Sequence, residues 1–166
     1  TLRTNSVALD PLLADVVALT ATAVGDRPVV VSYEVAEGLP AAIEADASRV
    51  RQVLSNLMGN AAKFTERGSV VVRASATEEG RLCFTITDTG RGIPAADLDQ
   101  VFEPFVAAGN AGNATGAGLG LTIVRQLVAA MHGTITATST LGHGSQFRVE
   151  LPLVAIRAEE ASATVA

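Results

Sequence analysis

Leu9, Leu12, Leu13, Val16, Val17 and Leu19 recur at helical spacing within residues 7–24, which predicts a helix with one apolar stripe. Gly25-Asp26-Arg27-Pro28 breaks it, since glycine and proline punctuate regular structure. Val29 to Val35 is β-branched and predicts a strand, with a turn at Gly38-Leu39-Pro40. Asp46 stands where it can cap a helix from Arg49 onward. In that helix Val50, Val53, Leu54, Leu57, Met58 and Ala61 follow the spacing of a core-facing stripe.

Two strands follow, over about 69–76 and 81–87, joined by Glu78-Glu79-Gly80. A short helix is expected near 95–101. Residues 106–117 are nearly all Gly, Ala, Asn and Thr, which predicts a loop without anchoring side chains. A further helix is expected from about 119 to 131, apolar at Ile123, Val124, Leu127, Val128 and Met131. Strands over 133–139 and 145–151 complete the pattern, and Arg157–Ala166 reads as a linker. Helices and hairpins without regular βαβ alternation predict an α+β fold. Its form would be a two-layer α/β sandwich, with one mixed sheet of about five strands covered on one face by about three helices.

With 48% hydrophobic and 17% charged residues over 166 positions, the chain is long and apolar enough for one packed domain. The expected extent is 1–155, with 156–166 as the tail. A net charge of −5 gives no basic footprint for nucleic acid. No apolar run approaches the length of a membrane helix, so no membrane contact is expected. Thr1-Leu2-Arg3-Thr4 does not read as a signal peptide and suggests a stretch inside a longer protein. The single cysteine, Cys83, lies in an apolar run and reads as a small buried side chain.

The second predicted helix carries a polar line beside its apolar one: Arg49, Gln52, Asn56, Asn60 and Lys63. A solvated face explains such a line, but asparagine is a poor helix former and two of them need a reason. An asparagine carbonyl can coordinate a hard cation such as Mg2+. Lys63, the only lysine in the chain, can meet a phosphate as a point charge. Asp88 ends the strand run Cys83-Phe84-Thr85-Ile86-Thr87, and Gly90 and Gly92 follow it closely. A carboxylate there can accept an exocyclic amine, with glycines admitting a flat ligand; an ordinary Asp-Gly turn has the same residues. Gly116-Ala117-Gly118-Leu119-Gly120-Leu121 opens a helix and suits phosphate through free N–H groups. It matches neither the Rossmann fingerprint nor a Walker loop.

In order along the chain, Asn56-Leu57-Met58-Gly59-Asn60-Ala61-Ala62-Lys63-Phe64-Thr65 resembles the asparagine box of histidine kinases. Asp88-Thr89-Gly90-Arg91-Gly92-Ile93 resembles their first glycine box, Phe102-Glu103-Pro104-Phe105 their phenylalanine box, and Gly116 to Leu121 their second glycine box. The resemblance covers about residues 9–153. It implies the Bergerat ATP-binding sandwich shared with gyrase, heat-shock chaperones and MutL. It implies that Asn60, helped by Asn56, holds Mg2+, that Lys63 touches phosphate and that Phe64 packs at the nucleotide. Asp88 would accept the adenine amino group, and Gly90, Gly92 and Ile93 would line the adenine pocket. Gly116, Gly118, Leu119, Gly120 and Leu121 would close over the phosphates of ATP or ADP. Residues 106–117 would form a lid anchored by Phe102 and Phe105, for which a core role is the other reading.

The family's partners are a phosphoacceptor helical hairpin and a response-regulator receiver domain. Lys63-Phe64-Thr65 resembles the hybrid members, and a cytoplasmic placement follows, whether or not the parent is membrane-anchored. His132 and His143 fall at a helix end and in a turn, unlike the family's acceptor histidine, so this chain by itself is not expected to autophosphorylate. Asn56 stands where the gyrase, chaperone and MutL relatives carry a catalytic glutamate, which favours transfer over hydrolysis. The segment Val106–Thr115 carries no charge, unlike many family lids. Other readings are a regulatory ATP-binding module, a serine kinase of the anti-sigma-factor type, and an aspartic protease. The last is disfavoured by the helices.

Overall fold

The computed structural model describes residues 4–98, 100–102 and 117–154, with residues 117–120 described in their backbone alone. In chain order the elements are β1 (Asn5–Ala8), α1 (Leu9–Val24), β2 (Val29–Val35), β3 (Ala42–Ala45), α2 (Ala47–Lys63), β4 (Gly68–Ala76), β5 (Leu82–Asp88), α3 (Ala95–Leu98), α4 (Ala117–Ala130), β6 (Thr134–Thr140) and β7 (Gly144–Leu151).

Five strands form one mixed sheet in the order β2-β4-β5-β7-β6. The β2–β4 pair is parallel and the other pairs are antiparallel. Side chains alternate between faces, so register defines the core. Val70, Ile86 and Phe147 face inward, as do Val72, Phe84 and Val149. The helices α1, α2 and α4 pack on that side, which gives the expected two-layer sandwich. The opposite face is polar, with Arg73, Thr87, Gln146 and Arg148 exposed. Cys83 is an exception there, buried as its sequence setting suggested.

Helix α2 follows its sequence pattern closely. Val50, Val53, Leu54, Leu57, Met58 and Ala61 are all buried. The Asp46 side chain accepts the Arg49 N–H at 3.2 Å and caps the helix.

Five expectations need correction. Val7 belongs to β1, not to the first helix, and pairs with Ile43 of β3 in a separate two-stranded sheet. Neither strand has a sequence pattern of its own, since each is four residues long and exists through the other. Leu19 is 58% exposed, while Thr20 takes the buried position and returns its hydroxyl to the Val16 carbonyl at 2.8 Å. Ile123 likewise lies outside the core, 45% exposed on α4. Helix α4 begins at Ala117 rather than near 119. Gly118 and Gly120 each lower helix propensity by about 1 kcal/mol and hide the first turn from the sequence pattern. The short helix α3 stops at Leu98 and gives way to turns. The expected tail, 156–166, lies outside the described residues. No described helix is long and apolar enough to cross a membrane.

Candidate nucleotide site

The inward positions of β5 run Leu82, Phe84, Ile86 and then Asp88. Asp88 therefore takes a core-facing position at the strand end. Its cross-strand neighbour on β7 is Ser145, whose neighbour on β6 is Ser139. The inner face of the sheet thus turns polar along one row, Ser139–Ser145–Asp88.

Asp88 is 7% exposed. Its carboxylate accepts the Gly90 N–H at 2.9 Å and a second N–H from the Ser145 backbone. Burial pushes the carboxyl above its ordinary value of 3.8, and the two N–H donors offset only part of that. A buried carboxylate with fixed donors on one side is prepared to accept a further hydrogen bond on another.

The loop after Asp88 is pinned from both sides. Arg91 donates its N–H to the Phe64 carbonyl at 3.4 Å, and the Arg91 carbonyl accepts the Gly142 N–H at 2.7 Å. The Ile93 N–H reaches the Ser139 hydroxyl at 2.7 Å. That hydroxyl also lies 2.9 Å from the Gly144 carbonyl and 2.8 Å from the Ser145 hydroxyl. Glycine is required twice here. A Cβ on Gly90 would stand 2.5 Å from the Phe64 carbonyl. Gly92 has φ +76°, and a Cβ there would run into the Thr140 carbonyl.

Helix α2 packs against β5 and brings its polar line to the same layer. Asn56 and Asn60 are half-buried, and Lys63 is exposed. Arg49 pairs with Asp46 at 3.4 Å, which places it in the helix cap. Phe64 terminates the helix; the Arg91 guanidinium carbon lies 4.5 Å from its ring centre and the Lys63 ammonium 5.6 Å. Phe64, Gly90, Gly92 and Ile93 therefore belong to one assembly with Asp88.

Phe102 packs edge-on against Phe147, with ring centres 6.1 Å apart, and its carbonyl accepts the Thr122 hydroxyl at 3.0 Å. It combines a core role with a tie between the segments on either side of residues 103–116. Leu121 is buried. Gly118, Leu119 and Gly120 fall in the first turn of α4, whose N–H groups have no partner within the helix. Phe105, Gly116 and most of the expected lid lie outside the described residues.

Ser139, Ser145, Arg91 and Thr122 were not among the residues expected from sequence. The serines carried a signal: each holds an inward position in a strand whose other inward positions are apolar. Thr65 also went unassigned; it is fully buried, with its hydroxyl donated to the Ala61 carbonyl at 2.8 Å.

Residues 45–155 match the family model described as histidine kinase-, DNA gyrase B-, and HSP90-like ATPase. The chain is 40% identical over 143 residues to the sensor protein TorS of Escherichia coli K12, covering 86% of this chain and 15% of TorS. It is 38% identical over 154 residues to the aerobic respiration control sensor protein ArcB of the same organism, covering 90% of this chain and 20% of ArcB. Identity to hybrid signal transduction histidine kinase A of Dictyostelium discoideum is 44% over 129 residues, covering 70% of this chain and 6% of that protein. The chain thus spans a fifth or less of these relatives. Among solved structures, full-length ShkA in complex with AMPPNP superposes with a TM-score of 0.85 at 38% identity, covering 95% of this chain and 33% of ShkA. The mycobacterial sensor histidine kinase MprB gives 0.77 at 26% identity, covering 92% of this chain and all of that one. With the buried Asp88 row and the asparagine helix in one sandwich, the chain belongs to the histidine kinase-, DNA gyrase B- and HSP90-like ATPase family, on its histidine kinase branch.

Proposed function

We propose that this domain binds Mg·ATP and passes its γ-phosphoryl group to a histidine on a separate helical hairpin, as part of a cytoplasmic hybrid kinase that also engages a receiver domain. The observation that carries the reading is Asp88, a buried carboxylate fixed by two backbone N–H groups at the end of the polar row. An adenine amino group is the donor that such an acceptor suits. A purine with a carbonyl at that position would set oxygen against oxygen.

The donors on α2 fit a hard cation. Asn56 and Asn60 stand one helical turn apart, half-buried, and offer neutral carbonyl oxygens. Asn60 would hold Mg2+ with help from Asn56, and bound Mg2+ supplies charge neutralisation at the phosphates. Lys63 adds a cation at the end of the same line. The first-turn N–H groups of α4 offer further donors to phosphate. Asn56 cannot take a proton from water as a carboxylate would, so this helix positions ATP without activating water. Transfer then amounts to placing the γ-phosphorus in line with an imidazole nitrogen. The bond from phosphorus to the bridging oxygen breaks, a phosphorus–nitrogen bond forms, and ADP leaves.

A helical partner is also in keeping with the surface. Exposed Ile123 borders a cleft of about 850 Å3 shared by Arg49, Gln52 and Leu127, between α2 and α4. The likeness to TorS, ArcB and the Dictyostelium hybrid kinase supports the signalling role, and the AMPPNP complex of ShkA supports the nucleotide.

The test mixes this domain with the purified hairpin of its parent kinase and γ-labelled ATP. Acid-labile, base-stable label on the hairpin is the expected result. Nucleotide binding without any transfer would sink the kinase reading and leave a regulatory module.

A further inference from the structure

Arg27 lies in the turn between α1 and β2, outside the residues that match the family model. It is half-buried and its guanidinium bridges three carbonyls. Nε donates to Val24 at the end of α1 at 3.3 Å. Nη1 donates to Ala62 at 2.9 Å and to Thr65 at 3.0 Å, reaching 35 and 38 residues along the chain. The carbonyls of Ala62 and Thr65 bracket Lys63 and Phe64. The last carbonyls of a helix have no partner within it, and its negative end favours a cation. Arg27 satisfies both needs with one group.

We infer that Arg27 is a positioning residue for the nucleotide site, holding the turn that presents Lys63 and Phe64 and, through it, the loop after Asp88. The inference rests on the nucleotide reading above.

The path onward is short. The Phe64 carbonyl accepts the Arg91 N–H and lies against Gly90, and the Thr65 hydroxyl lies against Gly90 as well. A shift of the 62–65 turn therefore moves one wall of the adenine loop. The other wall, made by Ser139 and Gly142, does not depend on Arg27. The neighbouring Pro28 carbonyl accepts the Gly68 N–H at 2.9 Å, which fixes the start of β4 beside the same turn. Lysine is no substitute, because a single ammonium lacks the planar fork that reaches the Val24, Ala62 and Thr65 carbonyls at once.

A helix cap that only adds stability would leave the site unchanged once folded, so the test needs a local readout. Hydrogen exchange is measured on the ligand-free chain for the native protein and for Arg27→Ala and Arg27→Lys. Peptides spanning 62–67 and 89–92 are expected to exchange about fivefold faster in Arg27→Ala, with β7 unchanged. Arg27→Lys is expected to fall between the two. Acceleration confined to 24–28, or spread equally over β5 and β7, would overturn the inference.

Calorimetry then adds a cycle with Lys63→Ala. Arg27→Ala is expected to weaken Mg·ATP binding about tenfold in the native background and about threefold in the Lys63→Ala background, where only the route through Phe64 and the loop after Asp88 remains. Equal losses in both backgrounds would overturn the positioning of Lys63. If the native domain binds no nucleotide, the functional reading fails, and the exchange pattern alone decides the role of Arg27.

Discussion

Asp88 stands at the end of a buried strand with partners supplied by its own loop and by β7, whereas Asn56 and Asn60 stand half-buried on one face of a helix. The two ends of the site are thus built on different principles. At the Asp88 end the loop is held by fixed partners: Ile93 on Ser139, Arg91 on Phe64, Gly142 on Arg91. Under the proposed reading, such an end selects a ligand by shape and polarity before the ligand arrives. In the proposed site, the asparagine end lines up the half-buried Asn56 and Asn60 with the exposed Lys63 on one face of a helix. The first arrangement resists substitution through its backbone. The second resists it only through the chemistry of particular side chains.

Glycine substitutions separate these cases most sharply. Gly92→Ala combines a left-handed backbone with a Cβ driven into the Thr140 carbonyl. Neither wall is a flexible side chain that could move aside. The expected loss is about 2–4 kcal/mol of stability, from backbone strain and overpacking together. Denaturant melts measure it. A loss under about 0.5 kcal/mol, within the range of an ordinary surface change, would show that the Asp88 end yields more readily than its hydrogen bonds imply.

Ligand binding sharpens the comparison next. Asp88→Ala is expected to weaken both adenosine and Mg·ATP by about 10- to 100-fold, the range for a hydrogen bond to a charged group. Asn60→Ala is expected to weaken Mg·ATP while leaving adenosine within about twofold, since its proposed role is confined to the cation. Calorimetry with the two ligands distinguishes them. Equal losses of adenosine in both variants would erase the division between the ends.

Acidity acts on one end alone. Burial raises the Asp88 carboxyl above 3.8, so the folded state holds its proton more tightly than the unfolded chain does. That contribution is fully present below the unfolded value and is lost as pH rises through the folded one. Thermal melts taken at rising pH from the ordinary carboxyl value of 3.8 upward should therefore show the native domain losing stability relative to Asp88→Asn. The proposed adenine binding runs the other way, because the ionised carboxylate is the stronger acceptor for the amine, and affinity is expected to fall as acidification protonates Asp88. Parallel melting curves for the two proteins would remove the buried charge from the account of this end.

The sequence made the helical half of this comparison easier to read than the strand half. The apolar and polar lines of α2, and the cap at Asp46, follow from spacing within one continuous segment. Asp88 and its glycines were visible as a strand end followed by a tight loop. The partners that complete that end come from β6 and β7, about 50 residues later, and only cross-strand register brings Ser139 and Ser145 beside Asp88. The same holds for β1 and β3, each of which has an identity only in the other's company. Leu19 and Ile123 show the converse limit, since an apolar residue near a stripe need not lie on it.

Gly59 gives the smallest effect and the cleanest control. It lies inside α2, between Asn56 and Asn60, and among the described residues beyond its own stretch of helix a Cβ there would meet nothing within 4 Å. Alanine restricts the unfolded chain and favours the helix, so Gly59→Ala is expected to raise stability by about 0.5–1 kcal/mol. Adenosine and Mg·ATP affinities should stay within about twofold of the native values, because the added methyl group meets no described residue from another element. A gain in stability with unchanged binding would show that α2 holds its asparagines through side-chain placement alone. A loss of Mg·ATP affinity would mean that the open space beside Gly59 is filled by the ligand, and that the asparagine end also depends on close backbone approach.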